Sequence, residues 1–145
     1  MKKMMLLNGP NLNLLGKREP GIYGTTTLVH IESQITKLGI EHGVEVICKQ
    51  SNHEGEMVDC LHDAFDFDGV ILNAGAFTHY SYAIRDAVAA IVAPVIEVHI
   101  SNIHAREPFR HVSVLAPETK GQIVGLGIKG YELAFYALLD EKGER

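Results

Sequence analysis

The sequence predicts an α/β protein whose parallel sheet is covered by helices on both faces. Short apolar runs alternate with longer segments of helical periodicity, which is the pattern of strands joined by helical crossovers. The apolar runs are continuous rather than alternating, as in strands that are buried on both sides. The 145 residues, 46% of them hydrophobic, suit one domain over 1–145 and exclude a (β/α)8 barrel, which needs about 250 residues.

The first strand and first helix flank a long connection. Met4–Leu7 is an apolar run that ends at Asn-Gly-Pro, which is typical of a buried strand. Residues 9–24 contain four Gly and two Pro, so they are predicted to form a loop. Apolar positions three and four residues apart then predict a helix over Thr25–His42, with Gly43 ending it.

The remaining elements continue the alternation of strands and helices. They are predicted at Val44–Cys48, Glu54–Phe65, Val70–Leu72, Ser81–Val92, Val95–His99, Ile123–Val124 and Ile128–Leu139. At this size the best match is the flavodoxin-like, doubly wound, five-stranded parallel sheet of order 2-1-3-4-5, which binds ligands at the carboxyl ends of strands 1 and 3. Polar residues follow the predicted strand ends, at 8–11, 73–75 and 97–102.

Charge and hydropathy exclude several function classes. The formal net charge of −5 argues against a nucleic-acid surface, which would carry clustered Lys and Arg. The apolar run at Met4–Leu7 is too short for a signal peptide or a membrane span. We therefore expect a soluble, cytoplasmic protein, in which an anionic ligand would need locally placed cations.

Two motifs that suggest cofactors are weak. Gly125–Gly130 matches G-x-G-x-x-G, but a dinucleotide fingerprint needs an acidic residue about 20 positions later, and only fifteen residues follow Gly130. His99, His104 and His111 are spaced by five and seven, without an H-E-x-x-H or paired C-x-x-C pattern. We therefore expect a tight strand-to-helix turn, separate roles for the histidines, and neither metal nor cofactor.

A third candidate chemistry is acid–base catalysis on an anionic, polyhydroxylated substrate. The segment at about 16–25 has Gly and Pro near both ends and includes Arg18 and Tyr23. Loops of this length in a compact domain are usually functional, so we expect a lid.

The end of the fourth strand supplies an acid and an anion site. Side chains alternate along a strand, so Glu97, His99 and Ser101 should share one face, where the carboxylate could orient the imidazole. Arg106 and Arg110 follow in the next loop, and guanidinium groups suit carboxylate recognition.

Several of these segments together carry a resemblance. They are Leu6–Gly16, Arg18–Gly24, Asn73–His79, Glu97–Asn102, His104–Arg110 and Gly125–Tyr131. In this order they resemble the type II 3-dehydroquinate dehydratases, and the similarity runs nearly end to end. The resemblance implies a lyase that dehydrates 3-dehydroquinate to 3-dehydroshikimate, on the shikimate pathway to chorismate and the aromatic amino acids. It also implies anti elimination through an enolate, without a metal, cofactor or Schiff base.

The resemblance assigns roles to individual residues. Tyr23 matches the general base, Arg18 the lid arginine beside it, and His99 the acid that protonates the departing hydroxyl. Asn11 matches the residue that holds a water on the enolate oxygen. Substrate contacts are expected at Asn73, His79, Asp86, Ile100, Ser101 and Arg110, with Glu97 and Arg106 in support. The family forms a dodecamer of four trimers, in which the residue matching Asp86 reaches a neighbour's site.

Two alternatives of other kinds remain open at this level. One is a non-catalytic binding or receiver domain of the same fold, although a receiver would need carboxylates where the first strand ends in Asn8 and Asn11. The other is an isomerase that acts on a related cyclic acid with the same Tyr, Arg and His.

Overall fold

The computed structural model describes residues 2–17 and 19–140. The strands are β1 (Lys2–Asn8), β2 (Val44–Gln50), β3 (Gly69–Asn73), β4 (Val95–His99) and β5 (Gly121–Val124). The helices are α1 (Pro20–Tyr23), α2 (Leu28–Glu41), α3 (Glu54–Asp63), α4 (Tyr82–Ala90) and α5 (Lys129–Leu139). None of the helices in these two ranges is long and apolar enough to cross a bilayer.

The five strands form one parallel sheet in the order β2-β1-β3-β4-β5, which confirms the predicted topology. The register pairs Asn8 with both Gln50 and Asn73. The polar ends of β1 and β3 therefore lie side by side, at the point where the strand order reverses. This is the position at which open α/β sheets bind ligands.

Two apolar cores explain why the strands are continuous apolar runs. On β1, Met4 and Leu6 pack in the core beneath α2 and α5, whereas Met5 and Leu7 pack in the core beneath α3 and α4. Because both faces of the strand are buried, neither set of alternating positions can be polar. On β4 the same alternation puts Val98 in the α5 core, so its neighbours Glu97 and His99 lie on the opposite face.

Three of the predicted helices begin one to three residues too early because the prediction counted their N-caps as helix, whereas the start of α3 at Glu54 is confirmed. The predicted start at Thr25 is wrong by three residues, since Thr27 is extended and its Oγ1 accepts a hydrogen bond from the backbone N–H of His30. Ser81 caps α4 in the same way, through the N–H of Ile84.

The prediction of a plain loop over 9–24 is wrong. Leu12–Leu14 forms a 3-10 turn, and the segment also contains the one-turn helix α1. Elements of three or four residues are too short to show a helical period, so the pattern could not reveal them. A Cβ at Gly16 (φ +88°) would lie 2.8 Å from the Thr25 carbonyl oxygen, so the two ends of the 16–25 segment are in contact.

Candidate active site

A pocket lies at the carboxyl edge of the sheet, between the loops that follow β1, β3 and β4. The structure brings eight of the predicted site residues into its lining: Asn11, Asn73, His79, His99, Ile100, Ser101, Arg106 and Arg110. Pro10, Gly75 and Ile103 also line it and were not predicted, because small and apolar residues at a loop carry no chemical signal.

Glu97 and His99 form a buried pair beneath the pocket. Glu97 is fully buried and His99 is 5% exposed, and Glu97 Oε2 lies 2.5 Å from His99 Nε2. A carboxylate can only accept, so Nε2 carries the proton. His99 Nδ1 has no hydrogen-bond partner within residues 2–17 and 19–140, which leaves this nitrogen available to a ligand in the pocket.

His79 lies against His99, with the two rings stacked and their centroids 6.3 Å apart. The Nδ1 of His79 is 2.8 Å from the Val112 carbonyl, so Nδ1 carries its proton. Partial burial lowers the pKa of His79 below its ordinary value, and the nearby His99 and Arg110 act in the same direction. A neutral His79 offers Nε2 as an acceptor, which suits a substrate hydroxyl.

The glycine-rich turn after β5 orients two backbone N–H groups at the pocket. Gly125 N–H donates to the His99 carbonyl, and Gly127 N–H donates to the Ile100 carbonyl. Because the N–H and C=O of a trans peptide point in opposite directions, the N–H groups of Ile100 and Ser101 face away from this turn. Neither has an acceptor among the described residues, and a pair of free N–H groups is suited to binding an anion.

Two arginines share one carboxylate beside these N–H groups. Arg110 Nε lies 3.2 Å from both oxygens of Glu107, and Arg106 Nε lies 3.7 Å from Glu107 Oε1. Arg106 also donates to the Ser101 hydroxyl at 3.3 Å. Together the two guanidinium groups and the carboxylate have a net charge of +1. They therefore provide the local positive charge that this acidic chain needs to hold an anion.

Asn11 lies on the pocket rim in a left-handed backbone conformation, with φ 68°, which Asn tolerates better than most residues. Its N–H donates to Asn52 Oδ1 at 3.0 Å. The Gln50 side chain donates both to Asn52 Oδ1 and to the Gly9 carbonyl. Two side chains at the end of β2 thus hold the loop that carries Asn11.

A buried network that was not predicted supports the pocket from below. The Tyr131 hydroxyl donates to Asn8 Oδ1 at 2.6 Å and accepts from Asn73 Nδ2 at 2.9 Å. Burial strongly raises the pKa of Tyr131, so the group stays a neutral phenol. The signal that could have found this network is the pair of Asn residues ending β1 and β3, because buried amides need partners.

Of the remaining predicted site residues, two have side chains outside the described part of the chain and one lies away from this pocket. Arg18 lies outside the described residues, as does the side chain of Tyr23, whose backbone belongs to α1. Asp86 is exposed on α4 and does not line the pocket of its own chain. Residues 2–17 and 19–140 contain no group of three or more His, Cys, Asp or Glu that could hold a metal ion.

Comparisons with known proteins show which family the chain is similar to. Residues 2–139 match the family model described as dehydroquinase class II. The chain is 65% identical to the 3-dehydroquinate dehydratase of Anoxybacillus flavithermus over 141 residues, 97% of this chain and 95% of that protein. The type II dehydroquinase structures from Butyrivibrio crossotus and Propionibacterium acnes are each 48% identical, with TM-scores of 0.92 and 0.93. They cover 94% and 97% of this chain, and 97% and 98% of their own.

Proposed function

Since the chain belongs to the dehydroquinase class II family, and is thereby a lyase of the 3-dehydroquinate dehydratase type, we propose that its pocket converts 3-dehydroquinate to 3-dehydroshikimate by anti elimination. The reaction serves the shikimate pathway toward chorismate. The observation that carries the proposal is the buried Glu97–His99 pair beside the free N–H groups of Ile100 and Ser101. An acid and an anion site in one pocket are what elimination of a hydroxyl from a carboxylate substrate requires.

Proton removal is assigned to Tyr23, from the carbon next to the substrate ketone. A free tyrosine has a pKa near 10 and is a poor base at neutral pH. Arg18, five residues earlier on the same segment, would favour the phenolate as a neighbouring cation. The contact between Gly16 and Thr25 supports this assignment, because a segment whose ends touch can present both residues together.

The developing negative charge on the enolate oxygen and the departing hydroxyl each need a hydrogen-bonding partner in the pocket. Asn11, at the rim of the pocket, would hold a water on the enolate oxygen. A positioned donor of this kind typically contributes about 3 kcal/mol. His99 would enter the step with both ring nitrogens protonated, keep the Nε2 proton on Glu97 and give the Nδ1 proton to the departing hydroxyl, which leaves as water; the proton that Tyr23 takes from carbon would restore the balance through solvent.

Substrate binding would use the remaining pocket groups. The carboxylate would bind the N–H groups of Ile100 and Ser101, with Arg106 and Arg110 supplying positive charge. A neutral His79 would accept a hydrogen bond from a ring hydroxyl, and Asn73, a further member of the pocket lining, would contact the substrate from the end of β3.

We also propose that the chain assembles into trimers, four of which form a dodecamer, and that Asp86 serves the site of a neighbouring copy. Tyr82 and Asp86 are one helical turn apart on α4, and Tyr82 is 67% exposed. Residues four apart share a helix face. An exposed tyrosine beside an unassigned carboxylate supports the use of this face for contact between copies.

The direct test is to incubate the purified protein with 3-dehydroquinate and follow the ultraviolet absorbance of the conjugated enone. Substrate deuterated at one or the other position of the carbon next to the ketone tests the stereochemistry. Only the label on the face opposite the departing hydroxyl should be lost. Folded protein that forms no enone would refute the proposed reaction, and loss of the other label would refute anti elimination.

Tyr23→Phe tests the assignment of the base. The substitution removes only the phenolic oxygen, so turnover should fall by at least about 100-fold, the lower end of the range for one general base. Substrate affinity should change little, as measured by calorimetry. Turnover close to that of the wild type would exclude Tyr23 as the base.

A further inference from the structure

We propose that Ser113 is a positioning residue for the Glu97–His99 pair, and that its hydroxyl fixes which nitrogen of His99 faces the substrate. Ser113 is outside the pocket lining, and among the described residues its hydroxyl is bonded to Glu97, Leu115 and Ala116 and not to His99. The inference rests on the proposed use of His99 as the acid. It goes further by naming a residue that orients His99 through Glu97.

The hydrogen-bonding capacity of the Ser113 hydroxyl is fully used. Its oxygen accepts from the N–H groups of Leu115 at 3.2 Å and Ala116 at 3.0 Å. A hydroxyl has two acceptor positions and one proton. Both acceptor positions are occupied, so the proton has one direction left, toward Glu97 Oε1 at 2.9 Å.

This arrangement decides which oxygen of Glu97 faces His99. Oε1 receives the Ser113 proton, so it acts as an acceptor and cannot itself carry a proton toward Ser113. Oε2 then remains for His99 Nε2. Glu97 is fully buried, so in the folded chain its two oxygens rely on these two partners. Nε2 of His99 is therefore held as a donor to the carboxylate, and Nδ1 is the nitrogen that can exchange a proton with the substrate.

The segment around Ser113 is held rigidly enough for this role. The next residue, Val114, donates its N–H to the Thr78 carbonyl at 2.9 Å, and its own carbonyl accepts from Arg85 Nη1 at 3.1 Å. Ser113 is therefore anchored to the turn after β3 and to α4. The Ser113 hydroxyl is therefore held in a fixed position relative to β4.

Ser113→Ala removes the proton donor and leaves one oxygen of a buried carboxylate without a partner. Because the charged Glu97 then loses one of its two strong hydrogen bonds, kcat for 3-dehydroquinate should fall by at least about tenfold. KM should change little, because Ser113 lies outside the pocket lining. A kcat equal to that of the wild type would overturn the proposal.

Thr119→Ala is the matched control for simple loosening of the segment. Thr119 lies near Ser113 in the chain and is also half-buried, and its hydroxyl donates to the carbonyls of Ala116 and Gly121. Its removal takes a bracing bond from the same segment but leaves Glu97 untouched. Thr119→Ala should keep kcat, whereas a loss equal to that of Ser113→Ala would overturn the proposal.

Two further variants separate the proton donor from the loop brace. Ser113→Thr keeps both functions and should retain most of kcat. Ser113→Asp keeps an acceptor for the two N–H groups but sets a second negative charge against Glu97, so it should be worse than Ser113→Ala. If Ser113 only braced the loop, Asp would equal Thr and exceed Ala, and that order would overturn the proposal.

Proton NMR of the His99 Nε2–H resonance gives a readout that does not depend on turnover. The resonance should shift in Ser113→Ala and stay in place in Thr119→Ala and Ser113→Thr, and an unmoved resonance in Ser113→Ala would overturn the proposal. If the wild type forms no enone but the resonance responds as expected, the proposed reaction fails and the positioning role stands. If the wild type forms the enone but the His99 Nε2–H resonance does not shift in Ser113→Ala, only the positioning role fails.

Discussion

Tyr131 holds the ends of two strands together through a single buried hydroxyl. Tyr131→Phe would leave Asn8 Oδ1 and Asn73 Nδ2 without their partner in a fully buried setting. Unsatisfied buried groups cost about 1–3 kcal/mol. We therefore expect the free energy of unfolding in urea to fall by about that amount. Tyr136→Phe, at a 42% exposed position on the same helix, should change it far less, and equal losses would contradict this role.

His79 should make stability depend on pH in a defined direction. Its pKa is lowered in the folded protein by partial burial, so the unfolded chain binds this proton more tightly. The resulting stability is complete above about pH 6.5, the ordinary histidine value, and is lost as the pH falls through the lower folded value. His79→Gln should lose less stability than the wild type on acidification in urea titrations. If the free energy of unfolding of His79→Gln falls with decreasing pH as steeply as that of the wild type, the expected direction of the effect is contradicted. His30→Gln, at an exposed position on α2, controls for the loss of an imidazole.

At the scale of single residues, the sequence predicted the residues whose type indicates chemistry. It missed residues that support the site through hydrogen bonds to other side chains. His99 and Arg110 stand out by residue type, and the structure brings both to the pocket. Tyr131 and Ser113 have common side chains with many uses. The Tyr131–Asn8 bond also joins residues 123 positions apart in the chain, and no local pattern reports such a contact.

At the scale of elements, the turns after β1 and β3 meet with no space between them. Gly9 N–H donates to the Asn73 carbonyl at 2.7 Å, and a Cβ at Gly9 would lie 2.6 Å from the Ala74 carbonyl oxygen. Gly9→Ala should push these turns apart and misplace Asn11 relative to Asn73. A displacement near 1 Å can cost about 100-fold in rate.

The measurement is turnover at a temperature where circular dichroism shows Gly9→Ala to be folded. Gly55→Ala is the control, since a Cβ there meets nothing within 4 Å and its backbone lies in α3. Alanine also favours a helix over glycine by up to about 1 kcal/mol. Gly55→Ala should keep full turnover, and wild-type turnover in Gly9→Ala would show that the close approach is not needed.

The sheet was predictable because its strands are long enough to show a pattern, whereas the turns around the pocket were not. Each buried strand repeats the same signal over several residues, and alternation with helices determines the order. The 3-10 turns at Gly75–His79 and Pro108–Arg110 have no such period. Their paths depend on long-range contacts, such as the Val114 N–H to the Thr78 carbonyl, that only the folded chain supplies.

At the scale of the whole molecule, the net charge of −5 opposes the approach of an anionic substrate. The pocket counters this with Arg106, Arg110 and oriented N–H groups, which act over a few ångströms. Added salt screens the long-range repulsion and leaves the short-range contacts, since the Debye length is about 8 Å at physiological ionic strength. Substrate association should therefore tolerate moderate salt.

Under the proposed function, the pocket is completed by assembly, because a neighbouring copy contributes Asp86. Asp86 is absent from the pocket lining of its own chain, so under the proposed function it contacts substrate in another copy. Sedimentation of the wild type should then give trimers or sets of four trimers. A monomer that is fully active would exclude this arrangement.

Mixed assemblies test whether Asp86 acts across the contact between copies. Asp86→Ala and His99→Ala should each lower turnover strongly when pure. If the two variants are unfolded and refolded together, some sites will combine an intact His99 from one copy with an intact Asp86 from another. At equal total protein, turnover should then rise above the average of the two pure samples. If Asp86 instead serves its own chain, every site in the mixture keeps one defect, and turnover will equal the average of the two pure samples.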